Sequence, residues 1–517
     1  MLKIQAERGS NAETRITKQV MKLDLIMQDI EYEILQECNF NATEIGDIVI
    51  DSRKATKNSL FVCLRGAQVD GHEFIADVAA KGAAAVIVDN IDRAENTSAN
   101  TNKHAYPSGI TVLHVNNARR ALCVISANFN NRPAKKLRLF GVTGTNGKTS
   151  VTYMIENILR QITPTGLIGT IGLHINGNPI NIPFTTSTTP DPQELHQILD
   201  YILQNGGKDV VMEVSSHALK LHKVDGLFFE VAVFTNLTQD HMDFHRTMDN
   251  YLACKVRLFT RSKCGVVNVD DKYSKQIIER GTCEKWLTYG INTPCDVRAV
   301  NIVDSDEGSE FSVQIGETLE QFFMPTKGLF NIYNALAAIA TATAIGTDLS
   351  KIKSGIASFG GVPGRIQIVP NNRGLRVLVD YAHSPDGLVN IINAVRAFTD
   401  GKVITLFGCG GDRDAEKRPI MGRIAGELSD HCIITSDNPR TEQPDKIIAA
   451  IQDGVTETNC PFDTFVDRRT AIFHGISILQ PGDSLIIAGK GHENYQLIGK
   501  DTLPFDDFEI AKSAMAG

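Results

Sequence analysis

Residues 137–149 read Leu-Arg-Leu-Phe-Gly-Val-Thr-Gly-Thr-Asn-Gly-Lys-Thr, and this stretch carries the strongest structural signal in the chain. Its apolar beginning is typical of a buried strand, and a glycine-rich turn follows directly. The next residues have helical spacing, with an apolar face made of Val151, Met154, Ile155, Ile158 and Leu159. A strand, a glycine-rich loop and a helix in this order predict a cradle in which backbone N–H groups converge on phosphate oxygens.

The predicted phosphate loop assigns a role to each of its polar residues. Lys148 would reach the β- and γ-phosphates of ATP, and Thr149 would offer its hydroxyl to Mg²⁺. The remaining loop residues predicted to bind ATP are Gly144, Thr145, Asn146 and Gly147. The alternative interpretation is a glycine-rich turn that carries a solvated lysine.

The loop departs from the strict P-loop pattern. That pattern requires glycine at the position of Val142, whereas the glycines here stand at positions 141, 144 and 147. We therefore predict a variant phosphate loop that differs from those of ordinary GTPases and small kinases.

Composition bounds the class of protein. The chain has 517 residues, 42% hydrophobic and 22% charged, which is typical of globular proteins and predicts about three domains. The net charge of -8 and the pI near 5.9 argue against nucleic acid as a partner, although local basic groups can still bind an anionic small molecule.

The cysteines and the N-terminus indicate the compartment. Ten cysteines are scattered without a CxxC pair, which indicates a reducing environment rather than a disulfide framework or a zinc ribbon. We find no apolar segment of a secretory signal and no apolar run of about 18 residues, so we expect no membrane insertion. We predict a cytoplasmic monomer.

Changes in pattern divide the chain into an extension and three domains. We predict a polar extension at 1–23, an N-terminal domain at 24–134, a central domain at 135–363 and a C-terminal domain at 364–517. Predicted strands in the N-terminal domain are 48–50, 60–64 and 85–88. The cluster 360–364, Gly-Gly-Val-Pro-Gly, is typical of a hinge or linker.

The C-terminal domain alternates strands with a helix. Predicted buried strands are 377–380, 403–407, 432–435 and 484–488, and residues 385–398 form a helix between the first two. Such alternation predicts a parallel, doubly wound sheet. The fold class is therefore α/β, with three domains, a central P-loop-type domain with a mostly parallel sheet, and a Rossmann-like C-terminal domain.

Acidic, histidine and lysine residues of the central domain allow more than one interpretation. Glu213 ends an apolar strand, where a carboxylate either faces the metal of a nucleotide or is structural. His241 and His245 are four residues apart and could share a helix face as zinc ligands, or they are hydrogen-bonded loop histidines. From its neighbours alone, Lys255 is a solvated helix residue.

Three polar loops follow strands of the C-terminal domain, at 408–414, 436–440 and 489–493. Because the carboxyl ends of parallel strands share one sheet edge, we expect these loops to meet there. Arginine guanidinium groups suit a carboxylate and acidic groups suit an ammonium, so the edge would fit a zwitterion. The candidate residues are Arg413 and Arg440 for the carboxylate and Asp437 and Glu493 for the ammonium. Ordinary turn chemistry with surface charges is the alternative.

Taken in order, the motifs resemble those of the Mur ligases over residues 24–517. The motifs are GTNGKT, TTPD (188–191), EVSSHAL, TNLTQDHMDFH, YLACK, GLFNIYN (328–334), GVPGR, DYAHSPD (380–386), GCGGDRD, SDNPR and GKGHE. The resemblance implies three domains that hold a UDP-linked substrate, ATP and an amino acid. It also implies ATP-dependent addition of meso-diaminopimelate to UDP-N-acetylmuramoyl-L-alanyl-D-glutamate through an acyl phosphate, during peptidoglycan precursor synthesis.

The resemblance further implies roles for individual residues. Lys148, His241 and Lys255 would be catalytic. Two Mg²⁺ ions would be held by Thr149, Glu213, His241 and Lys255, the last as a carbamate. Further ATP contacts would come from Asn331, Asn334, Arg365, Asp380 and His383. The UDP-muramoyl-dipeptide would contact Ser52, Gln68, Thr188, Thr189, Ser215 and Lys223. Diaminopimelate would contact Arg413, Asp437, Asn438, Arg440, Gly489 and Glu493.

Individual residues favour a diaminopimelate-adding Mur ligase over other classes of protein. Arg440 suits the distal carboxylate of diaminopimelate, and lysine-adding relatives generally lack this arginine. Where the family has Gln and Arg after EVSSH, this chain has Leu221 and Lys223, so Lys223 keeps the charge and loses the guanidinium fork. The rivals are a lysine-adding or folylpolyglutamate ligase, a P-loop kinase or switch, and a non-catalytic scaffold.

Overall fold

The structure is a computed structural model that describes residues 20–66, 69–89, 106–182, 184–186, 188–305 and 307–516. The chain divides into two compact units. Unit 1 comprises residues 1–141, 163–230 and 261–263, and unit 2 comprises residues 142–162, 231–260 and 264–517. No helix in the described part of the chain is both long and apolar enough to cross a membrane.

Sixteen helices are numbered here in chain order within the described residues. They are α1 (Leu23–Ile26), α2 (Ile75–Ala80), α3 (Ala118–Phe129), α4 (Lys148–Leu159), α5 (Pro192–Gln204), α6 (Ser216–Lys220), α7 (Met242–His245), α8 (Met248–Phe259), α9 (Ser274–Arg280), α10 (Leu329–Ala344), α11 (Leu349–Ala357), α12 (Pro385–Arg396), α13 (Lys417–Leu428), α14 (Pro444–Val455), α15 (Arg468–Ser477) and α16 (Asp507–Ala516). Short 3₁₀ turns cover Phe40–Ala42, Ser52–Lys54, Gly71–Phe74 and Pro133–Lys136.

The strands of the described residues are numbered in the same way. They are β1 (Met21–Lys22), β2 (Glu33–Gln36), β3 (Glu44–Ile45), β4 (Asp47–Val49), β5 (Ser59–Val62), β6 (Ala85–Val88), β7 (Thr111–His114), β8 (Arg138–Thr143), β9 (Thr165–Gly169), β10 (Gly172–Ile175), β11 (Asn178–Ile180), β12 (Asp209–Glu213), β13 (Phe229–Phe234), β14 (Ser262–Asn268), β15 (Lys285–Gly290), β16 (Val297–Asp304), β17 (Ser309–Ile315), β18 (Thr318–Met324), β19 (Gln367–Ile368), β20 (Arg376–Asp380), β21 (Val403–Phe407), β22 (His431–Thr435), β23 (Phe462–Phe465), β24 (Ser484–Ala488), β25 (Tyr495–Ile498) and β26 (Asp501–Pro504).

The N-terminal sheet of unit 1 has the strand order β2-β7-β6-β5-β4. Strands β4 to β7 are parallel, and β2 is antiparallel to β7 at the edge. The three predicted strands correspond to β4, β5 and β6 and are confirmed; the ends of β4 and β5 differ by one or two residues from the prediction, and those of β6 agree.

The predicted extension at 1–23 needs a correction at its end. Residues 1–19 lie outside the described residues. Met21 of β1 pairs with Ile45 of β3, and Leu23 is fully buried. Residues 21–23 therefore belong to the folded part of unit 1, because their apolar side chains and backbone groups are already packed and paired.

A second group of strands in unit 1 comprises β9, β10, β11 and β12. Strand β12 pairs parallel with β9, and β10 and β11 continue the sheet from β9 in antiparallel order. All five residues of β12 are buried, which suits a strand covered on both faces.

The helix predicted after the phosphate loop lies in unit 2 as α4 and is confirmed. Its five predicted inner residues are all buried, in agreement with the helical spacing of apolar residues. Gly355 of α11 lies so close that a Cβ at this position would approach Ile158 Cγ1 to 2.5 Å. Within unit 2, strands β14, β15 and β16 pair in parallel, and β17 and β18 extend them in antiparallel order.

The C-terminal sheet of unit 2 has the order β19-β20-β24-β21-β22-β23. Strands β20 to β24 are parallel and β19 is antiparallel at the edge. Alternate residues of β21 face opposite sides: Val403 and Phe407 pack with α12, α13 and α14, while Ile404 and Leu406 pack with α15 and α16. The sheet is covered on both faces, so the predicted doubly wound parallel sheet is confirmed.

A buried ion pair connects the helices on one face of this sheet. Arg468 Nε and Nη2 donate to the two carboxylate oxygens of Asp507 at 2.8 and 2.7 Å, and neither side chain is exposed. Arg468 Nη2 also donates to the carbonyl oxygen of Ala488 at 2.9 Å, at the end of β24. Burial acts to lower the pKa of Arg468, but the interactions with Asp507 raise it above its usual value.

We expect Arg468→Met to lower the free energy of unfolding by about 3–5 kcal/mol, because Asp507 would remain buried without its partner. Urea denaturation of the full chain measures this change. The control is Arg423→Met, since Arg423 and Glu457 form an ion pair whose side chains are 51% and 52% exposed. That substitution should cost less than about 1 kcal/mol. Equal effects of the two substitutions would contradict the role given to the buried pair.

Candidate active site

Two positions of the phosphate loop require glycine, because neighbouring side chains leave no room for a Cβ atom. Gly147 has φ +83° and precedes α4, and a Cβ there would lie 2.5 Å from Asn334 Oδ1. A Cβ on Gly144 would lie 1.8 Å from the hydroxyl oxygen of Thr235. Side chains at these positions would therefore push away the residues that support the loop.

The segment 235–238 holds the phosphate loop in shape. Asn236 Oδ1 accepts the backbone N–H of Asn146 at 2.9 Å, and Asn236 Nδ2 donates to the carbonyl oxygen of Asn146 at 3.2 Å. The hydroxyl of Thr235 donates to the same carbonyl oxygen at 2.6 Å. Thr145 Oγ1 accepts the N–H of Thr238 at 3.0 Å. The loop is thus fixed through its backbone by residues more than 80 positions later in the chain.

Asp386 supports the same loop from the C-terminal domain, and the sequence interpretation did not assign it a role. Its Oδ2 accepts Asn146 Nδ2 at 2.5 Å and the hydroxyl of Thr238 at 3.2 Å. Burial raises the pKa of Asp386 above its usual value, although both hydrogen bonds oppose that rise. The available signal was local: Asp386 lies in the first turn of α12, whose N-cap Ser384 is followed by Pro385.

Arg365 and Asp380 lie beside the start of α4. Arg365 Nη2 donates to Thr149 Oγ1 at 3.3 Å, and its guanidinium lies 4.6 Å from the ring centre of Tyr381. Asp380 accepts the N–H groups of Ile366 and Ala382 at 2.8 Å each. Burial raises the pKa of Asp380, while Arg365 acts to lower it. These contacts bring Arg365 to the phosphate loop, and Asp380 interacts with Arg365.

The other predicted ATP-side residues are also in unit 2. Lys148 Nζ donates to the carbonyl oxygens of Gly144 and Thr145 at 3.0 and 2.9 Å. Asn331 Nδ2 donates to the carbonyl oxygen of Lys327 at 2.8 Å. Burial, with Lys417 nearby, lowers the pKa of His383.

Lys255 is buried, so the interpretation from its sequence neighbours, a solvated helix residue, is wrong. It is 1% exposed on α8, and its Nζ lies 4.5 Å from the ring centre of Tyr251. Burial and the nearby Lys148 hold the pKa of Lys255 well below its usual value. Both causes favour the neutral amine, which is the nucleophilic form, over the ammonium.

The two histidines proposed as zinc ligands do not share a helix face. His241 has φ +55° and precedes the four-residue helix α7, and its Nε2 lies 3.3 Å from a carboxylate oxygen of Asp240. His245 is fully buried and stacks on Tyr251 with ring centres 4.6 Å apart. The zinc hypothesis from this spacing is wrong, because the left-handed residue ends the helical register. No group of three His, Cys, Asp or Glu residues suited to a metal occurs among the described residues.

Glu213 and three predicted substrate residues cluster in unit 1. The carboxylate of Glu213 is buried and accepts the N–H of Thr170 at 2.8 Å and its hydroxyl at 3.1 Å. Thr188 Oγ1 lies 3.3 Å from the same hydroxyl. Thr189 Oγ1 donates to the carbonyl oxygen of Glu213 at 2.9 Å and accepts the N–H of Ser215 at 3.1 Å. The cluster places hydroxyls around the end of β12.

The remaining predicted substrate residues of unit 1 are more dispersed. Lys223 forms an ion pair with Asp191, the last residue of the TTPD motif, at 2.8 Å. Leu221 follows the end of α6. Ser52 begins a 3₁₀ turn, and its carbonyl oxygen accepts Lys81 Nζ at 2.7 Å. Gln68 lies outside the described residues.

The three polar loops of the C-terminal domain meet, as the strand order predicts. Lys490 Nζ donates to Asn438 Oδ1 and to Glu493 Oε2 at 3.1 Å each, and Asn438 Nδ2 donates to Glu493 Oε2 at 2.9 Å. Lys490 is fully buried, and sequence interpretation missed it. Gly489 has φ +117°, and a Cβ there would lie 2.7 Å from Asp437 Oδ2. A buried cation therefore orients the amide and the carboxylate that were predicted to receive an amino acid.

Arg440 takes part in the hydrogen bonds that join the loops at this sheet edge, whereas Arg413 bonds to its neighbour Asp412. Arg440 Nη1 donates to the carbonyl oxygen of Gly411 at 2.8 Å, which joins two of the loops. Its backbone has φ +52°, and its N–H donates to Leu497 at 3.0 Å. Arg413 is exposed, and its Nη1 donates to the carbonyl oxygen of Asp412 at 3.2 Å. The edge thus carries guanidinium, amide and carboxylate groups together.

The glycine-rich loop between strand β8 and helix α4, together with a parallel-sheet domain whose edge carries groups suited to a zwitterion, is typical of a nucleotide-using α/β enzyme. Family models match three successive stretches: "Mur ligase family, catalytic domain" at 44–130, "Mur ligase middle domain" at 142–342 and "Mur ligase, glutamate ligase domain" at 364–491. The order of the three predicted domains agrees with these matches, while their exact limits stay predictions.

Similar proteins extend the agreement over nearly the whole chain. A protein of Caldanaerobacter subterraneus subsp. tengcongensis named UDP-N-acetylmuramoyl-L-alanyl-D-glutamate--2,6-diaminopimelate ligase is 44% identical, covering 96% of this chain and 99% of its own. A solved structure with the same name is 29% identical, has a TM-score of 0.65 and covers 96% of this chain and 99% of its own. A Thermotoga maritima MurF ligase in complex with ADP shares the fold at 17% identity, with a TM-score of 0.59, covering 91% of this chain and 96% of its own.

The chain belongs to the Mur ligase family. It is accordingly an ATP-dependent ligase that forms amide bonds, as the motifs predicted.

We expect Asp386→Ala to weaken ATP binding about tenfold, because the phosphate loop loses hydrogen bonds to a charged group. Isothermal titration with a non-hydrolysable ATP analogue measures the effect. The matched control is Asn390→Ala, which removes an exposed 3.3 Å hydrogen bond to the same carboxylate from outside the loop. A change of less than twofold in both variants would show that Asp386 does not support the loop.

Proposed function

We propose that the protein joins meso-diaminopimelate to UDP-N-acetylmuramoyl-L-alanyl-D-glutamate, releasing ADP and phosphate, during peptidoglycan precursor synthesis in the cytoplasm. The observation that carries the amino-acid assignment is the meeting of Arg440, Asn438 and Glu493 at one sheet edge. Diaminopimelate ends in a carboxylate beside an ammonium, and these residue types match that pair of charges. The names of the similar proteins support the same substrates. We expect a monomer.

The proposed reaction has two chemical steps. The carboxylate of the D-glutamate side chain attacks the γ-phosphorus of ATP, and the bond from that phosphorus to the β,γ-bridging oxygen breaks to release ADP. The amine of diaminopimelate then attacks the acyl phosphate, phosphate leaves, and the amine loses a proton. A free carboxylate is a poor acylating agent, so ATP supplies the leaving group. Water must be kept from the acyl phosphate until the amine reacts.

The phosphate side of the site would use the loop 144–149 together with Arg365. Lys148 would leave its loop carbonyl partners to reach the β- and γ-phosphates. Arg365 supports this assignment, because its buried Nε has no hydrogen-bond partner in the part of the chain that the structure describes. A buried donor of this kind, beside Thr149, suits a phosphate oxygen. Asn331, Asn334, Asp380 and His383 would complete the ATP side.

As the family resemblance implies, Thr149, Glu213, His241 and a carbamylated Lys255 would hold two Mg²⁺ ions. Thr149, Glu213 and the carbamate would supply the oxygen ligands that Mg²⁺ prefers, and His241 would supply a ring nitrogen. The burial of Lys255 supports the carbamate, because burial and the nearby Lys148 lower the pKa of its amine and so favour the unprotonated form, which is the form that adds to carbon dioxide. Bound Mg²⁺ would neutralise phosphate charge. The carbamate would convert a buried cation into an anionic oxygen ligand.

The UDP-muramoyl-dipeptide would bind residues of unit 1. The hydroxyls of Thr188 and Ser215 would donate to the carboxylates of the peptide, and Thr189 would hold this region in place, because its own hydroxyl donates to the carbonyl oxygen of Glu213. Ser52 and Gln68 would contact the UDP group. Lys223 would approach the peptide as a point charge and would have to share its ammonium with Asp191.

A substrate panel tests the proposed reaction. ATP and UDP-muramoyl-dipeptide are supplied with diaminopimelate, lysine or ornithine, and released phosphate and the tripeptide product are both measured. We expect amino-acid-dependent phosphate release with diaminopimelate at least about a hundredfold more efficient than with lysine. Phosphate release without amide product would favour a kinase or switch, and no turnover with any substrate would favour a scaffold.

Arg440→Ala tests the amino-acid site within this reaction. We expect kcat/KM for diaminopimelate to fall at least about a hundredfold, because the distal carboxylate loses its guanidinium partner, while the affinity for ATP stays unchanged. Arg423→Ala, which removes an exposed arginine of α13, is the matched control and should retain full activity. Undiminished use of diaminopimelate by Arg440→Ala would refute the assignment.

Lys255→Ala tests the carbamate. We expect activity to fall more than about a hundredfold, and we expect a short carboxylate such as acetate to restore part of it by occupying the space of the carbamate. Lys275→Ala, at an 83% exposed lysine, is the control. Full activity of Lys255→Ala without added carboxylate would exclude a carbamate ligand.

A further inference from the structure

Two cysteines of unit 2 lie together away from the residues assigned to the ligase reaction. Cys432 is on β22 and Cys460 precedes β23, and their Sγ atoms are 3.7 Å apart. Cys432 is fully buried, whereas Cys460 is partly exposed. Both are free thiols in this structure.

The backbone holds the two thiols close to each other. Strands β22 and β23 are parallel neighbours, with Cys432 opposite Phe462. The N–H of Cys432 donates to the carbonyl oxygen of Pro461 at 3.0 Å. On the side-chain face, Cys432 belongs to the apolar cluster beneath α13 and α14, and Cys460 packs against the edge of that cluster. The sulfur atoms therefore remain neighbours whether or not they interact.

The contact between the two thiols favours the ionisation of Cys460. The hydrogen bond with Cys432 lowers the pKa of Cys460, and it raises the pKa of Cys432 together with burial. Cys283 and Cys295 are also partly exposed, but burial raises their pKa values to about 12 and about 11. Since the thiolate is the nucleophile, Cys460 differs from these two thiols in the direction that increases reactivity.

Cys460 can be reached by a small reagent. It lines a surface cavity of about 510 Å³ together with Ser429, Thr458, Asn459 and Pro461. Its Sγ lies 3.4 Å from the carbonyl oxygens of Ser429 and Pro461. A cavity of this size admits hydrogen peroxide, whereas Cys432 behind it has no solvent-exposed surface.

We propose that Cys460 and Cys432 form an oxidation site that a hydroperoxide converts into a reversible disulfide. The Cys460 thiol loses its proton and its sulfur attacks one peroxide oxygen; the O–O bond breaks, Cys460 becomes a sulfenic acid, and the departing hydroxide takes up that proton as water. The sulfur of Cys432 then attacks Cys460 Sγ, the S–O bond breaks, and the departing hydroxide takes the Cys432 proton as a second water. Two thiols are oxidised and one peroxide is reduced.

The disulfide would enclose residues 433–459, which include the SDNPR loop. The two sulfurs are at the beginning of β22, whereas the loop follows the end of that strand. The bond would therefore restrict the unfolded chain without altering the hydrogen bonds of Asn438 and Arg440. We expect oxidation to raise the melting temperature by about 5 °C and to leave ligase kcat within twofold.

The test treats the full chain with increasing hydrogen peroxide, blocks remaining thiols with iodoacetamide under denaturing conditions, and locates lost thiols by peptide mass spectrometry. We expect Cys432 and Cys460 to be lost first, as one linked peptide pair that dithiothreitol separates, while Cys283 and Cys295 are still alkylated. Cys460→Ser should abolish this early loss. Cys432→Ser should leave Cys460 to accumulate as sulfenic and sulfinic acid.

Three results would overturn the proposal. The first is that both thiols survive peroxide concentrations that oxidise Cys283 or Cys295. The second is wild-type Cys460 oxidised to sulfinic acid, or joined to added glutathione, with Cys432 still reduced. The third is equal loss of Cys432 in the Cys460→Ser variant. Circular dichroism of each variant establishes that it is folded before the comparison.

Discussion

The central physical constraint is that the backbone of the glycine-rich loop before α4 must be held in one shape. Neighbouring segments meet this requirement through Asn146, whose backbone groups bond Asn236 and whose side chain bonds Asp386. Gly147 removes the side chain that would collide with Asn334. The loop is thus kept in shape by polar groups from distant parts of the chain, each of which is itself buried or anchored.

Three buried basic side chains of unit 2 have different roles. Arg468 is neutralised by Asp507 and stabilises the C-terminal sheet. Lys490 orients Glu493 and Asn438, so its charge is used to position other groups. Burial and the nearby Lys148 lower the pKa of Lys255, which favours its neutral amine over the ammonium. Burial of charge is costly, and in this chain the surroundings decide whether a cation stabilises, positions or reacts.

Much of the fold followed from local pattern. The inner face of α4 and the strands around 403–407 and 484–488 were predictable, because apolar periodicity reflects which faces are covered. The meeting of three loops also followed, since parallel strands share an edge. Asp386 and Lys490 were not assigned roles, because their motifs do not show that Asp386 bonds Asn146 or that Lys490 is buried beside Asn438 and Glu493. The spacing of His241 and His245 misled, because one left-handed residue breaks the helical register.

The sequence by itself determined the order of domains, the phosphate loop and the family, because these depend on neighbouring residues and on motif order. Only the tertiary structure decided which charges are buried, which carbonyls and amides they hold, and that two cysteines 28 positions apart bring their sulfurs together. The physical reason is that burial and hydrogen bonding depend on chain segments distant in sequence. Local composition therefore cannot set the pKa of Lys255 or Cys460.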